Sequence, residues 1–200
     1  LASALAGMAD CFVQDAFGTC HRAHASTAGV PSLMAEKAAG LLLQKEIDAF
    51  QQAFAEPKRP LVAIIGGAKV SDKIVVLENL LDKVDEVLIG GGMAYTFLRA
   101  QGLGIGSSLC EEDRLDTARK VLEECGNRGI KLHLPSDHVC ADQFAEDANK
   151  EVHSPMVPEG WMGLDIGPET QKCYAEVVSN ASTVVWNGPM GVAEWDAFAN

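Results

Sequence analysis

The chain has 200 residues, of which 48% are hydrophobic and 22% are charged, and its formal net charge is −12 at pH 7. This composition is typical of a globular domain with a sizeable core and excludes a disordered tail. The acidic net charge argues against a nucleic-acid binder, and no apolar run is long enough to span a membrane, which argues against a membrane protein. Any anion site must therefore be a local cluster of cations and backbone N–H groups.

The first quarter of the chain predicts a small α/β piece followed by a long helix. A short strand is expected at 11–15 and a polar loop at 17–27. From about 33 to 55 apolar residues recur at helical spacing, and Pro57 ends the pattern because proline disfavours helix at and before itself. A long helix between two different patterns predicts a connector between two lobes.

From Pro60 onward, predicted strands alternate with predicted helices. The strands are expected at 61–66, 85–90, 130–134 and 183–187, and the helices at 71–82, 93–100, 111–126 and 169–179. The stretch from 135 to 168 is interpreted as loop. This alternation predicts an α/β fold with a doubly wound parallel sheet of the Rossmann-like type.

Three of the predicted strands run into glycine-rich turns, at 66–67, 90–92 and 187–191. In an open parallel sheet, ligands bind beyond the carboxyl ends of the strands. Lys69 and Lys73 follow the first turn at a spacing that would put both on one helical face, beside a helix N-terminus that favours anions. The spacing of a Walker A loop is absent. These features favour a phosphate-binding nucleotide crevice, with ordinary turns and solvated lysines as the alternative.

A second polar cluster, His21-Arg22-Ala23-His24, suits a small anion, because guanidinium binds carboxylate or phosphate bidentately. A zinc site that adds Cys20 to the two histidines, and a plain capped loop, are the alternatives.

Three acidic residues have less specific interpretations. Glu194 either accepts ribose hydroxyls or is a solvated carboxylate in the first turn of a helix at the chain end. Asp15 is expected to order the polar loop that follows it, and Asp137 is either a turn residue or a site residue. The three tryptophans are expected to be packing anchors.

Several long motifs resemble the signatures of the phosphoglycerate kinase family. They stand at 15–19 with 21–24, 66–73, 90–93, 160–168 and 186–192. The resemblance is collinear over essentially the whole chain, and the sequence at 101–109 is similar to that of plant and cyanobacterial members of the family. It implies that 1–33 is the end of a 3-phosphoglycerate lobe, 34–56 an interdomain helix and 57–200 an incomplete nucleotide lobe.

The same resemblance implies roles for individual residues. His21 and Arg22 match phosphoglycerate-binding positions, and Lys69 and Lys73 match catalytic positions that contact the nucleotide phosphates. The implied nucleotide-binding set is Gly67, Ala68, Lys69, Lys73, Gly91, Leu109, Gly163, Leu164, Asn187, Gly188, Met190 and Glu194. No protein metal site is implied, since Mg²⁺ accompanies ATP or ADP.

The implied reaction is reversible phosphoryl transfer between ATP and the carboxylate of 3-phosphoglycerate, giving 1,3-bisphosphoglycerate and ADP, in glycolysis or carbon fixation. We expect a monomer without nucleic-acid or membrane partners. Six cysteines without C-x-x-C spacing indicate a reducing compartment, which we take to be the cytoplasm, with the chloroplast stroma as the alternative.

Some expected family features are absent or altered. Gln14 and Ala193 stand where the family has asparagine and an aromatic residue, and the family's C-terminal Gly-Gly-Gly-Asp loop is missing. The first residue is not Met and the pattern at 195–200 resembles an interrupted helix, so we expect an internal fragment without turnover of its own. A dinucleotide-dependent oxidoreductase and a non-catalytic nucleotide-binding module are the competing functions, although no G-x-G-x-x-G motif follows a strand.

Overall fold

The computed structural model describes residues 1–199, and the chain forms two compact units, Leu1–Pro57 and a second that begins at Lys58. The elements of the first unit are α1 (Ala2–Ala6), β1 (Cys11–Gln14), α2 (Val30–Leu33), β2 (Glu36–Ala39) and α3 (Leu41–Phe54). Short 3₁₀ and π-helical turns at Phe17–Thr19 and Ala25–Gly29 lie between β1 and α2. The strands β1 and β2 pair in parallel.

The long helix predicted from about 33 is shorter than expected. Residues Glu36–Ala39 form β2, whose register with β1 pairs Cys11 with Glu36, and α3 begins only at Leu41. Strand pairing therefore overrides a helical pattern of modest propensity. Asp15 Oδ1 accepts a hydrogen bond from the Leu43 N–H at 2.9 Å, so this side chain caps the first turn of α3.

The second unit contains the predicted parallel sheet. Its strands are β3 (Leu61–Ile65), β4 (Glu86–Ile89), β5 (Lys131–His133) and β9 (Thr183–Asn187), in the order β5-β4-β3-β9. Its helices are α4 (Ile74–Leu81), α5 (Met93–Ala100), α6 (Leu115–Arg128) and α7 (Pro168–Asn180). All three strand pairs are parallel, which confirms the α/β class and the central sheet.

The stretch predicted as loop between 135 and 168 contains a second sheet. Strands β6 (His138–Ala141), β7 (Lys150–His153) and β8 (Met162–Ile166) pair antiparallel in the order β7-β6-β8. These strands are short, and a register shift between Val139 and Cys140 interrupts their alternation, so their pattern is weak in the sequence. A helix was expected at 195–200, and the described part of that stretch, up to residue 199, forms a 3₁₀ turn at Asp196–Phe198.

The core of the second unit lies around β3, whose five residues are all buried. Val62, Ile64 and Leu88 pack against Ile166 and Tyr174, which connects the parallel sheet to β8 and α7. The order of β4, β3 and β9 places their carboxyl ends side by side. No helix within residues 1–199 has both the length and the apolar character needed to cross a bilayer.

From the sequence, Asp137 could be either a turn residue or a site residue. In the structure its side chain is buried against the first turn of α7. Its Oδ2 accepts a hydrogen bond from the Glu169 N–H at 2.9 Å, and its Oδ1 accepts one from the Thr170 N–H at 2.8 Å. These N–H groups belong to the first turn of α7, where intrahelical acceptors are lacking. Asp137 is therefore a helix cap.

Candidate functional site

The three glycine-rich turns meet at the carboxyl edge of the parallel sheet. The Gly66 N–H donates to the Asn187 carbonyl at 2.9 Å, which joins the turns after β3 and β9. The Gly91 N–H donates to the Met190 carbonyl at 2.7 Å, which joins the turns after β4 and β9. The turns are therefore one connected structure.

Glycine is required here because the backbones approach closely. A Cβ on Gly66 would lie 1.9 Å from the Pro189 carbonyl oxygen. Gly91 has φ +70°, and its Cβ would lie 2.6 Å from both the N and the O of Gly67. Both positions exclude a side chain on steric grounds.

The two lysines lie on the loop at 66–73. The predicted helix begins only at Ile74, so Lys69 and Lys73 lie in the turn before α4 and not on one helical face, which corrects that expectation. The Lys73 ammonium donates a hydrogen bond to Asn187 Oδ1. A Cβ on Gly67 would lie 3.5 Å from Lys73 Cε, so this side chain runs back over the end of β3. Lys69 is exposed.

Beside this loop lies a cleft of about 520 Å³ with a mostly apolar wall. Seven of the predicted nucleotide-binding residues line it: Gly67, Ala68, Gly91, Leu109, Gly163, Leu164 and Glu194. Of the other five, Asn187 ends β9, and Lys69, Lys73, Gly188 and Met190 are in the adjoining turns. The cleft thus has an apolar part between Leu109 and Leu164, and a polar side at Glu194 and the lysine loop.

The remaining wall residues were not predicted as site residues. They are Gly92, Ser107, Phe144, Met162, Pro189, Gly191 and Val192. Five of them, Gly92, Met162, Pro189, Gly191 and Val192, lie inside motifs that the sequence analysis had already identified, so a local signal for them was present. Phe144 comes from the β6–β7 connection, and its ring centroid lies 4.7 Å from that of Trp195. Only the folded second sheet brings Phe144 to the cleft.

The floor of the cleft rests on a buried polar pair. A Cβ on Gly163 would lie 1.7 Å from Tyr95 Oη, so the ring of Tyr95 supports β8 directly. Tyr95 Oη and His138 Nδ1 are 3.3 Å apart and share a hydrogen bond. Burial raises the pKa of Tyr95 and lowers the pKa of His138, so both side chains are neutral near pH 7.

One carboxylate is attached to the lysine loop itself. Glu111 Oε1 and Oε2 accept hydrogen bonds from the hydroxyl and the N–H of Ser71, at 2.5 and 3.0 Å. Burial raises the pKa of Glu111, but these bonds and the charge of Lys69 outweigh that effect, and the pKa lies below its usual value. Glu111 is therefore ionised near neutral pH.

The predicted acceptor-binding residues belong to the first unit. His21 and Arg22 are exposed in the turn that follows the 3₁₀ segment Phe17–Thr19. The Arg22 N–H donates to the Thr19 carbonyl at 2.9 Å, and the Arg22 carbonyl accepts the Thr27 hydroxyl at 2.5 Å. Within residues 1–199, no three His, Cys, Asp or Glu side chains are grouped to hold a metal ion, so the zinc alternative has no support.

Comparison with known proteins assigns a family. A family model described as phosphoglycerate kinase matches residues 1–200. The chain is 56% identical to phosphoglycerate kinase from Synechococcus elongatus over 199 residues, which are 99% of this chain and 50% of that protein. It is 54% identical to the cytosolic phosphoglycerate kinase 3 of Arabidopsis thaliana over 199 residues, with the same coverage. The chain thus spans about half the length of these relatives.

Similarity extends beyond photosynthetic organisms and to solved structures. The phosphoglycerate kinase of Clostridium tetani is 55% identical over 196 residues, so identity does not single out a plant or cyanobacterial origin. The structure of phosphoglycerate kinase from Coxiella burnetii matches with a TM-score of 0.89 and 48% identity, over 100% of this chain and 52% of that one. The enzyme from Pyrococcus horikoshii matches with a TM-score of 0.82 and 29% identity, over 98% of this chain and 50% of that one. The chain belongs to the phosphoglycerate kinase family.

Proposed function

We propose that this chain contributes the nucleotide lobe, and part of the 3-phosphoglycerate lobe, of a phosphoglycerate kinase. The whole protein would transfer the γ-phosphoryl group of ATP reversibly to the carboxylate of 3-phosphoglycerate, giving 1,3-bisphosphoglycerate and ADP. The observation that supports this most is the Lys73 ammonium, held against Asn187 where two strand ends meet beside an apolar cleft. A cation at such a place suits the phosphate end of a nucleotide whose base lies in the cleft.

We propose the following arrangement of the nucleotide. The base lies against Leu109 and Leu164, which are part of the apolar wall, and Glu194 accepts the ribose hydroxyls. The phosphates extend toward the lysine loop, where Lys69 and Lys73 supply positive charge. Gly91, Gly163, Gly188 and Met190 shape the cleft and its adjoining turns, while Gly67, Ala68 and Asn187 approach the phosphates.

The other substrate would be held by the first unit, through His21 and Arg22. Both side chains are exposed and carry N–H donors, which suit the phosphate and carboxylate of a three-carbon acid. We propose the division 1–33 for the end of the phosphoglycerate lobe, 34–56 for the interdomain segment with α3, and 57–200 for the nucleotide lobe. The boundary between the two compact units, after Pro57, supports the last limit.

The chemistry requires alignment and charge neutralisation. The acceptor is a carboxylate that is already ionised near neutral pH, so no general base is needed. Lys69 and Lys73 would stabilise the negative charge on the transferring oxygens. Mg²⁺ would arrive bound to the phosphates of ATP or ADP, in the way that Mg²⁺ usually joins nucleotide sites.

The cellular setting is a further part of the proposal. We propose a monomer that acts in glycolysis in the cytoplasm, and the name of the Arabidopsis thaliana relative, which is cytosolic, supports the compartment. Carbon fixation in the chloroplast stroma is the alternative.

Calorimetric titration of the chain tests the nucleotide assignment. We expect ADP and Mg-ATP to bind, and NADH to bind at least about tenfold more weakly, because the phosphate loop has no dinucleotide fingerprint. A preference for NADH would contradict the proposal. The full reaction is tested on the complete protein by measuring ADP formation that depends on 3-phosphoglycerate.

A further inference from the structure

The Glu111 carboxylate fixes the lysine loop from outside that loop. Both of its oxygens are bonded to one residue, Ser71, whose hydroxyl lies 2.5 Å from Oε1 and whose N–H lies 3.0 Å from Oε2. Ser71 stands between Lys69 and Lys73. A bidentate, charge-assisted contact of this kind determines both the position and the orientation of the loop at that point.

The other side of Glu111 is attached to a rigid element. Its backbone N–H donates to Thr96 Oγ1 at 3.1 Å, and Thr96 is 1% exposed on α5. Two residues earlier, Leu109 forms part of the cleft wall. The segment 107–111 therefore carries a base-facing residue and the anchor of the lysine loop within a few residues of chain.

The two segments also contact a common point. A Cβ on Gly92 would lie 3.0 Å from Leu109 Cδ2 and 3.1 Å from the Ala68 carbonyl oxygen. Leu109 and the start of the lysine loop thus pack against the same glycine. A movement of the loop at Ser71 would change the distance between the cleft wall and the two lysines.

Glu111 also occupies a backbone N–H group of the loop that could otherwise donate to an anion. The Ser71 N–H, at the beginning of the turn that leads into α4, already donates to this carboxylate. A phosphate would therefore contact other donors of the loop, among them the Lys73 ammonium. This differs from simple capture of a phosphate by a helix N-terminus.

We propose that Glu111 is a positioning residue of the nucleotide site, which sets the distance between the cleft wall at Leu109 and the phosphate-binding lysines. Its role is to let one nucleotide contact both parts at once. The inference rests on the proposed nucleotide function, since it assigns the base to the cleft and the phosphates to the loop.

Titration of the 200-residue chain with ADP and with adenosine tests this role. In Glu111→Ala we expect ADP to bind about tenfold more weakly and adenosine to change by less than about twofold, because only ADP needs the loop in place. Ser71→Ala should weaken the binding of ADP by a smaller factor and leave the binding of adenosine unchanged. The double variant should be no weaker than Glu111→Ala, because both changes remove the same contact.

Glu112→Ala is the matched control. Glu112 is the next residue in the chain, its side chain is 67% exposed, and its nearest ion-pair contact, with Arg99, is 3.9 Å long. We expect unchanged affinity for both ligands.

The outcomes separate the two proposals. If the unaltered chain binds neither ADP nor adenosine, the nucleotide function itself is wrong. If it binds both, and Glu111→Ala weakens both equally or neither, or if the effects of Glu111→Ala and Ser71→Ala add, the positioning role is overturned. Circular dichroism checks folding. If Glu111→Ala does not fold, the Ser71→Ala variant decides the question. A loss of affinity for ADP but not for adenosine in Ser71→Ala supports the positioning role, and an unchanged affinity for ADP overturns it.

Discussion

The ammonium of Lys73 is held by Asn187, a residue more than a hundred positions later, because β3 and β9 are neighbours in the sheet. Its side chain is half-buried, and its aliphatic part passes over Gly67, so the charge is fixed before any ligand arrives. A preorganised charge of this kind stabilises a transition state without further reorganisation. Lys69 is exposed and lacks the same restraint.

This difference predicts the effect of removing Lys73. In the complete protein, Lys73→Ala should lower turnover by about a hundredfold or more, which is typical for the loss of a preorganised donor. Lys58→Ala is the control, since Lys58 precedes β3 at the opposite end of that strand, and its turnover should stay within about twofold. Equal turnover of the two variants in a coupled assay would refute the assignment of Lys73.

The glycines permit a second prediction at the scale of one residue. Gly91→Ala places a methyl group at a positive φ and against the Gly67 backbone, so the free energy of unfolding should fall by about 1–3 kcal/mol or more. Gly126→Ala, inside α6 with open space around its Cβ position, should raise it by about 0.5–1 kcal/mol.

Urea denaturation measures both changes. A shift of the same sign in the two glycine variants would show that the close approach of the turns does not limit residue 91.

At the scale of elements, the pairing of β4 with β5 includes a charged contact. Glu86 pairs with Lys131 in the strand register, and its Oε1 and Oε2 lie 3.1 Å from Lys131 Nζ and 2.7 Å from His133 Nε2. Burial raises the pKa of Glu86, but the bonds to His133 and Lys131 outweigh it, and the pKa is lower than its usual value. The ionised carboxylate therefore stabilises the folded chain.

The sign of the pH dependence follows from that lowered pKa. The stabilisation is present above the pKa of the unfolded chain and is lost as the pH falls through the lower pKa of the folded chain. Glu86→Gln should therefore cost about 1 kcal/mol at pH 7 and much less at about pH 3. The exposed Glu123→Gln serves as control. Urea unfolding that showed the same Glu86→Gln penalty at both pH values would contradict this account.

The elements also show what the sequence could predict. The strand at β3, the glycine turns and the lysines are local features, and each is visible in a few consecutive residues. The strand β2 and the sheet β6–β8 were missed because their formation depends on partners elsewhere, such as Cys11–Gln14 for β2. Phe144 and Glu111 were missed for the same reason, since only tertiary contacts bring them to the cleft and the lysine loop.

For the whole molecule, nucleotide binding should protect one unit selectively. The cleft and the lysine loop are built from residues of the second unit, which begins at Lys58. ADP at a hundred times its dissociation constant should stabilise that unit by about 2.7 kcal/mol. Hydrogen exchange should slow at 66–73, 90–93 and 187–192 and stay unchanged in 1–57. Slowing confined to 1–57 would contradict the location of the site.

The presence of two sheets has a further consequence for how such a protein can diversify. Met162, Gly163 and Leu164 are on β8, and Phe144 lies in the β6–β7 connection, whereas the lysine loop follows β3. With the base in the cleft as proposed, substitutions in the antiparallel sheet would change the contacts to the base and leave the lysine loop in place. Selectivity for the base would thus vary separately from the contacts to the phosphates.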